Sequence, residues 1–348
     1  MAPVKRNDEP ARNDHRLKVW IVYLISAAAL VWVFHDLDWD SLVDKVQQLS
    51  WGWLFIIVGL DALSFYVQGV RWQILLRPVG KISSLRATQA IYVGLFTSEI
   101  LPLRAGEVIR GVLVSRWLGR RFRDVLPSMA LERVFDAFWF SSAMIVTALL
   151  IDVPPQVRVG TYVMLAIALL GIALFIWVVK RTHFAETPPA ASAIGKSLIE
   201  RLRFSLYEIR VEVKQIGLGR RFFASFGVSG LLHLVQGLAF VAVLKGSGID
   251  LPVLAWIAVF LVVHLGIAIP NAPANVGTFQ LFSVLGLTFF GVPKNEAAAF
   301  SLVAFTILTV PVTLIGVASA VGAGFSLSGF HSQLKQMTAQ EPVASPVD

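Results

Sequence analysis

Apolar residues in this chain fall into runs of two lengths, and the difference between them predicts most of the architecture. Six runs approach or exceed the 20 or so helical residues that cross a hydrocarbon core: roughly 17–34, 51–70, 125–150, 159–179, 222–244 and 297–322. Four others are too short to cross alone: 87–101, 108–118, 253–269 and 279–290. The short runs come in two pairs, each divided by a break. The first break is LPLRAGE, Leu101 to Glu107, and the second is IPNAPANVG, Ile269 to Gly277. Proline removes an amide donor and glycine relaxes the backbone, so each pair predicts two short helices joined within the membrane thickness.

Lys and Arg between the runs assign sides. The N-terminal stretch with Lys5, Arg6, Arg12, Arg16 and Lys18 is expected in the cytoplasm, and the acidic loop with Asp36, Asp38, Asp40 and Asp44 outside. The segment from Arg71 to Arg86 carries Arg71, Arg77, Lys81 and Arg86 without an acid, so it is expected inside. Both flanks of the first short pair are then basic, which predicts a re-entrant hairpin entering from the cytoplasm. Counting onward, the second pair enters from the outer face. Both breaks share the spacing P-x-x-x-G, Pro102 to Gly106 and Pro273 to Gly277. One hairpin from each face is the pattern of an inverted-topology repeat, in which broken helices meet near the midplane.

The expected fold is therefore an all-α polytopic membrane protein with about six full spans and two re-entrant broken-helix hairpins in an inverted repeat. Residues 17–325 form the transmembrane domain, and 1–16 and 326–348 are polar cytoplasmic tails. The first run is read as an uncleaved signal anchor. Loop 180–221 holds nine Lys and Arg against four Glu. Leu198, Leu202, Leu206, Ile209, Val213 and Ile216 recur in it at helical spacing, which predicts a basic amphipathic helix, either on the inner leaflet or packed on the spans.

Composition agrees: 56% of residues are hydrophobic, 15% are charged, and the mean hydropathy is +0.71. The chain has no cysteine, so it offers no disulfides and no thiolate ligands. No phosphate-binding loop, nucleophile elbow, H-E-x-x-H or dinucleotide fingerprint occurs, so no cofactor is expected. The net charge of +8 follows the loops rather than a nucleic-acid stripe, and no nucleic-acid partner is expected.

Charge inside a membrane costs about 2.5–3.5 kcal/mol per residue on insertion scales, so it marks interior or functional positions. The first hairpin carries Glu99, Arg104, Glu107 and Arg110. Arg104 and Arg110 can bind an anionic group with Glu107 orienting one of them, or the four can neutralise one another and hold the hairpin shut. Helix starts after Gly106 and Gly277, with Asn275 beside the latter, add positive dipole ends. Glu132 and Asp136 stand four apart beside Arg133, either as a proton relay or as partners of the hairpin arginines. Asp61 is a lone acid midway along its span and needs a polar partner. His233 and His264 lie on different helices and make an improbable metal pair.

The stretches FTSEILPLRAGEVIRGVLVSRWLG, LERVFDAF, IPNAPANVGTFQ and GVPKNEAAAFSLVAF resemble the transmembrane region of bacterial lysylphosphatidylglycerol synthetases, a flippase-like family also found standing alone. The resemblance runs from about residue 17 to 325. It rests on Pro102, Arg104, Gly106, Glu107 and Arg110, on Glu132, Arg133 and Asp136, and on the Pro273 to Gly277 break. Gln280 stands where many relatives carry an acid. The resemblance implies a lipid translocator in the bacterial inner membrane with both termini cytoplasmic. Together with the charged, proline-broken hairpin it points to an anionic or polyprenyl-phosphate-linked cargo, whose head group is expected at Arg104, Gly106, Glu107, Arg110, Asn275 and Gly277. Glu99, Glu132, Arg133, Asp136 and Asp61 would support the site or carry protons.

The chain ends at Asp348, too soon after its last span for a synthetase domain, so no enzymatic activity is expected. The alternative is a non-catalytic accessory subunit of a separately encoded glycosyltransferase or lipid-modifying enzyme. A transferase using Glu132 and Asp136 as acid and base is a third reading.

Overall fold

The computed structural model describes residues 23–35, 51–101, 105–153, 155–180, 214, 216–268 and 272–324. Among them are ten α-helices and no strand. They are α1 (Tyr23–Phe34), α2 (Trp51–Leu76), α3 (Ser84–Ile100), α4 (Ala105–Trp117), α5 (Phe122–Leu150), α6 (Pro155–Lys180), α7 (Arg220–Gly246), α8 (Val253–Ala268), α9 (Thr278–Phe289) and α10 (Lys294–Gly322). A 3₁₀ turn, Pro273–Asn275, precedes α9. Five helices, α2, α5, α6, α7 and α10, are long and apolar enough to cross a membrane; the first expected span is described only from Tyr23. The protein is a multi-pass, all-helical membrane protein. Most of the amphipathic stretch expected in loop 180–221 lies outside the described residues.

The two expected pairs of short helices are present: 17 and 13 residues in α3 and α4, 16 and 12 in α8 and α9. Local chemistry sets their ends. The Ser83 hydroxyl accepts the Arg86 amide and starts α3. Gly277, at φ +83°, starts α9, and its N–H donates to the Gln280 side-chain oxygen at 2.8 Å. The turn before it holds Ala274 and Asn275 at φ near +57°, strained for residues with a side chain.

Two differences from the sequence reading concern helix ends. The segment beginning at Arg71, assigned to a cytoplasmic loop, starts inside the membrane array: α2 continues to Leu76, and Arg71, Trp72, Leu75 and Leu76 are buried. α5 begins at Phe122, before the expected run at 125, and holds Pro127 near its start. It is tolerated there because Asp124 caps the helix start, accepting the Arg121 amide at 3.0 Å, and a proline so near the N-terminus removes little of the hydrogen-bond ladder.

Each helix pair sits in its own apolar cluster. The first cluster gathers Trp72, Leu76, Ala90, Ile91, Ile109, Val114 and Val125 around α3 and α4. The second gathers Val243, Val259, Val263, Val284, Leu287, Ala298 and Phe300 around α8 and α9. The tightest approach is between α3 and α4, where a Cβ on Gly106 would fall 1.8 Å from the Gly94 carbonyl oxygen. Only two glycines can cross so closely. α10 packs along α3, with Gly316 against Phe96 and the Tyr92 carbonyl, and α3 also touches the 3₁₀ turn. The two broken regions are thereby neighbours.

Candidate functional site

Between the two broken regions lies a cavity of about 350 Å³. Asp61, Phe65 and Gln68 of α2 form one wall, and Ser98 and Glu99 of α3 with Glu107 and Arg110 of α4 another. Ala272, Ala274 and Asn275 close it from the second break, while Arg133, Gln236 and His264 reach it from α5, α7 and α8. A second cavity of about 230 Å³ adjoins it between α5, α6 and α8. Arg133, Phe140's neighbour Asp136 and His264 line it beside Met144, Met164 and Leu265.

Behind the first cavity is a buried ionic network that joins four helices. Arg71 donates from Nε and Nη2 to Glu132 Oε1, at 3.2 and 3.0 Å. Its Nη1 pairs with Asp136 and donates to the Ser229 hydroxyl at 3.2 Å. Arg110 donates from Nη2 to the other oxygen of Glu132 at 2.9 Å, and its guanidinium stacks 4.6 Å from the Trp72 ring centroid. Arg133 lies 3.8 Å from Glu107 and 3.5 Å from Asp136. His233 Nε2 stands 3.4 Å from Asp136, and its Nδ1 meets Gln236 at 3.2 Å. Arg71 and Glu132 are wholly inaccessible, and Arg110 is 4% exposed.

Among the described residues this network balances: Arg71, Arg110 and Arg133 face Glu107, Glu132 and Asp136. Such balance is what a low-dielectric interior requires, since removing one member leaves an uncompensated buried charge. One donor remains unused. Arg110 Nη1 is buried and has no hydrogen-bond partner among the described residues, although Arg110 lines the cavity. An anionic oxygen entering the cavity is the kind of acceptor that this atom lacks.

The other sequence-selected residues divide by place. Gly106 makes the helix crossing described above. Glu99 accepts a hydrogen bond from the Thr313 hydroxyl of α10. Asn275 lines the cavity, but Gly277 faces α1, where a Cβ would lie 2.5 Å from the Ser26 carbonyl oxygen, and its amide is taken by Gln280. Arg104 lies outside the described residues. Among those described, no three His, Asp or Glu side chains come together as metal ligands.

Sequence reasoning missed the pairing of Arg71 with the α5 acids and that of His233 with Asp136. A signal existed: Ser225, Ser229 and His233 recur every four residues as one polar stripe on α7. That stripe meets the α5 acids, with Arg71 between.

The fold and this site define a class: a polytopic helical membrane protein with two interrupted helix pairs around a polar, charge-balanced cavity. The family described as the lysylphosphatidylglycerol synthase TM region matches residues 19–316, and the chain belongs to that family. No curated protein matches the chain.

Proposed function

We propose that this protein is a lipid translocator of the bacterial inner membrane that performs no covalent chemistry. Its cargo is an anionic or polyprenyl-phosphate-linked lipid, moved between leaflets with the head group in the central cavity and the chains in the bilayer. The observation that carries this reading is the cavity itself, lined by both broken helix pairs and by Arg110, one of whose buried donors has no partner among the described residues. Its volume suits a phosphate with a small polar substituent, at the low end of small-molecule sites. Arg110 would bind the phosphate with Glu107 beside it on the same wall, Arg133 would reach in from α5, and Asn275 would supply an amide from the second break.

On this reading the two helix pairs are re-entrant hairpins of an inverted repeat, and rocking of one against the other alternates access. One end of the helix array gathers Arg77, Lys81, Arg86, Arg120 and Arg220, with Arg86 stacked on Trp117. The positive-inside rule makes that end cytoplasmic and, by span count, both termini with it. The same basic end favours the second reading, an accessory subunit docking a separately encoded glycosyltransferase or lipid-modifying enzyme. No nucleic-acid partner is part of either reading.

The deciding experiment is leaflet exchange of labelled phosphatidylglycerol and polyprenyl phosphate in vesicles containing purified protein. Wild type is expected to accelerate exchange, and Arg110→Gln, checked for folding by its elution profile, to lose that acceleration. Exchange equal to that of protein-free vesicles for every lipid tried would sink the translocator reading and turn attention to the basic end.

A further inference from the structure

Among the acids that line the cavity or stand behind it, one has no counterpart. Glu132 and Asp136 are held by Arg71, Arg110 and Arg133, and Glu107 by Arg133. Glu99 accepts from Thr313. Asp61 is the eleventh of the 26 residues of α2 and lines the cavity. Its carboxyl has no hydrogen bond or ion pair among the described residues; only its backbone carbonyl is engaged, by Ser64 at 2.8 Å. Among the described residues, Arg71, Arg110 and Arg133 are already balanced by the other acids.

We propose that Asp61 is a proton-carrying site coupled to head-group occupancy, so that the protein moves an anionic lipid together with a proton. This rests on the translocator reading and names its coupling ion. A carboxylate in a membrane interior without a counter-charge is costly. An anionic head group in the same cavity adds a second negative charge, whose repulsion water screens little there. Placing a proton on an Asp61 side-chain oxygen removes one of the two charges. The proton arrives from the aqueous side to which the cavity is open, and leaves to the other side after the head group departs. By linkage, the factor by which the proton tightens head-group binding equals the factor by which the head group tightens proton binding.

Titratable and charged groups face Asp61 from four of the packed elements. They are Tyr92 and Glu99 from α3, Glu107 and Arg110 from α4, Arg133 from α5 and His264 from α8. α7, α10 and the second break offer Gln236, Thr309 and Asn275, which carry no charge.

The test uses vesicles of zwitterionic lipid containing the full chain and a trace of labelled phosphatidylglycerol, with and without a one-unit pH gradient. One proton per lipid predicts a leaflet distribution shifted by up to about tenfold, reversing when the gradient is reversed, and no such shift in Asp61→Asn. A wild-type distribution indifferent to the gradient, with exchange intact, overturns the coupling and leaves the translocator reading standing. If wild type moves no lipid, the translocator reading fails by itself, and infrared difference spectra then decide on Asp61. A protonated-carboxyl band at neutral pH that disappears in Asp61→Asn retains the proton site, and its absence in wild type overturns it.

Discussion

At the residue scale, the fold depends on charges that are affordable only in pairs. Glu132 receives both Arg71 and Arg110, so Glu132→Gln leaves the buried Arg110 guanidinium without a counter-charge and Arg71 with Asp136 alone. A loss of about 3–5 kcal/mol is expected, read as a fall in the thermal unfolding midpoint in detergent. Joint replacement of Arg110 and Glu132 by methionine and leucine should recover part of that loss, because Arg71 keeps Asp136 and no buried charge is left alone. The glycine crossing gives an equally sharp contrast. Gly106→Ala drives a methyl into the Gly94 carbonyl and should cost about 1–3 kcal/mol. Gly59, with open space around its Cβ position, should accept alanine without loss. An unfolding midpoint for Gly106→Ala equal to that of Gly59→Ala would mean that α3 and α4 do not cross there.

At the element scale, the second break is organised differently from the first. The first broken pair contributes Glu107 and Arg110 to an ionic network. The second pair brings no Asp, Glu, Lys or Arg to the cavity, and Gln280 caps the Gly277 amide. Gln280 is 2% exposed, so Gln280→Leu leaves that amide unsatisfied and should cost about 1–3 kcal/mol. Gln280→Glu retains an acceptor in the same place, and its midpoint should lie closer to that of wild type. α1 leans on this break through Ser26, and Lys294 stacks 4.7 Å from the Trp32 ring. Pairs of short apolar runs were legible as broken helices because neither member reaches spanning length. The true end of α2 was not legible, because the positive-inside rule reads Arg71 as a loop residue whether its charge meets water or a buried acid.

At the scale of the whole molecule, the helix array is polarised, with a basic rim at one end. The absence of cysteine from the sequence makes single-cysteine mapping direct. Lys81→Cys and Arg120→Cys should react with a membrane-impermeant maleimide only from the cytoplasmic side in oriented vesicles, and Asp250→Cys only from the other. Labelling of all three from one side would overturn the assigned orientation. Ser98→Cys and Ala274→Cys, on facing walls of the cavity, should exchange protection as the protein alternates. Simultaneous full labelling of both from one side, in every condition, would argue against rocking of two repeats.

The sequence by itself determined the membrane class, the approximate places of the described helices and the two pairs of short helices, because hydrophobic run length against bilayer thickness is a property of the chain alone. It also singled out Glu107, Arg110, Glu132, Arg133 and Asp136, since charge in an apolar run stands out wherever the run folds. Only the tertiary structure decided which of those charges meet. Arg71 and Glu132 are 61 residues apart, and Arg71 and Ser229 are 158 apart. Their pairing depends on how α2, α5 and α7 pack, which no local pattern encodes. The same packing distinguishes the acids already neutralised from Asp61, which lines the cavity and whose carboxyl has no partner among the described residues.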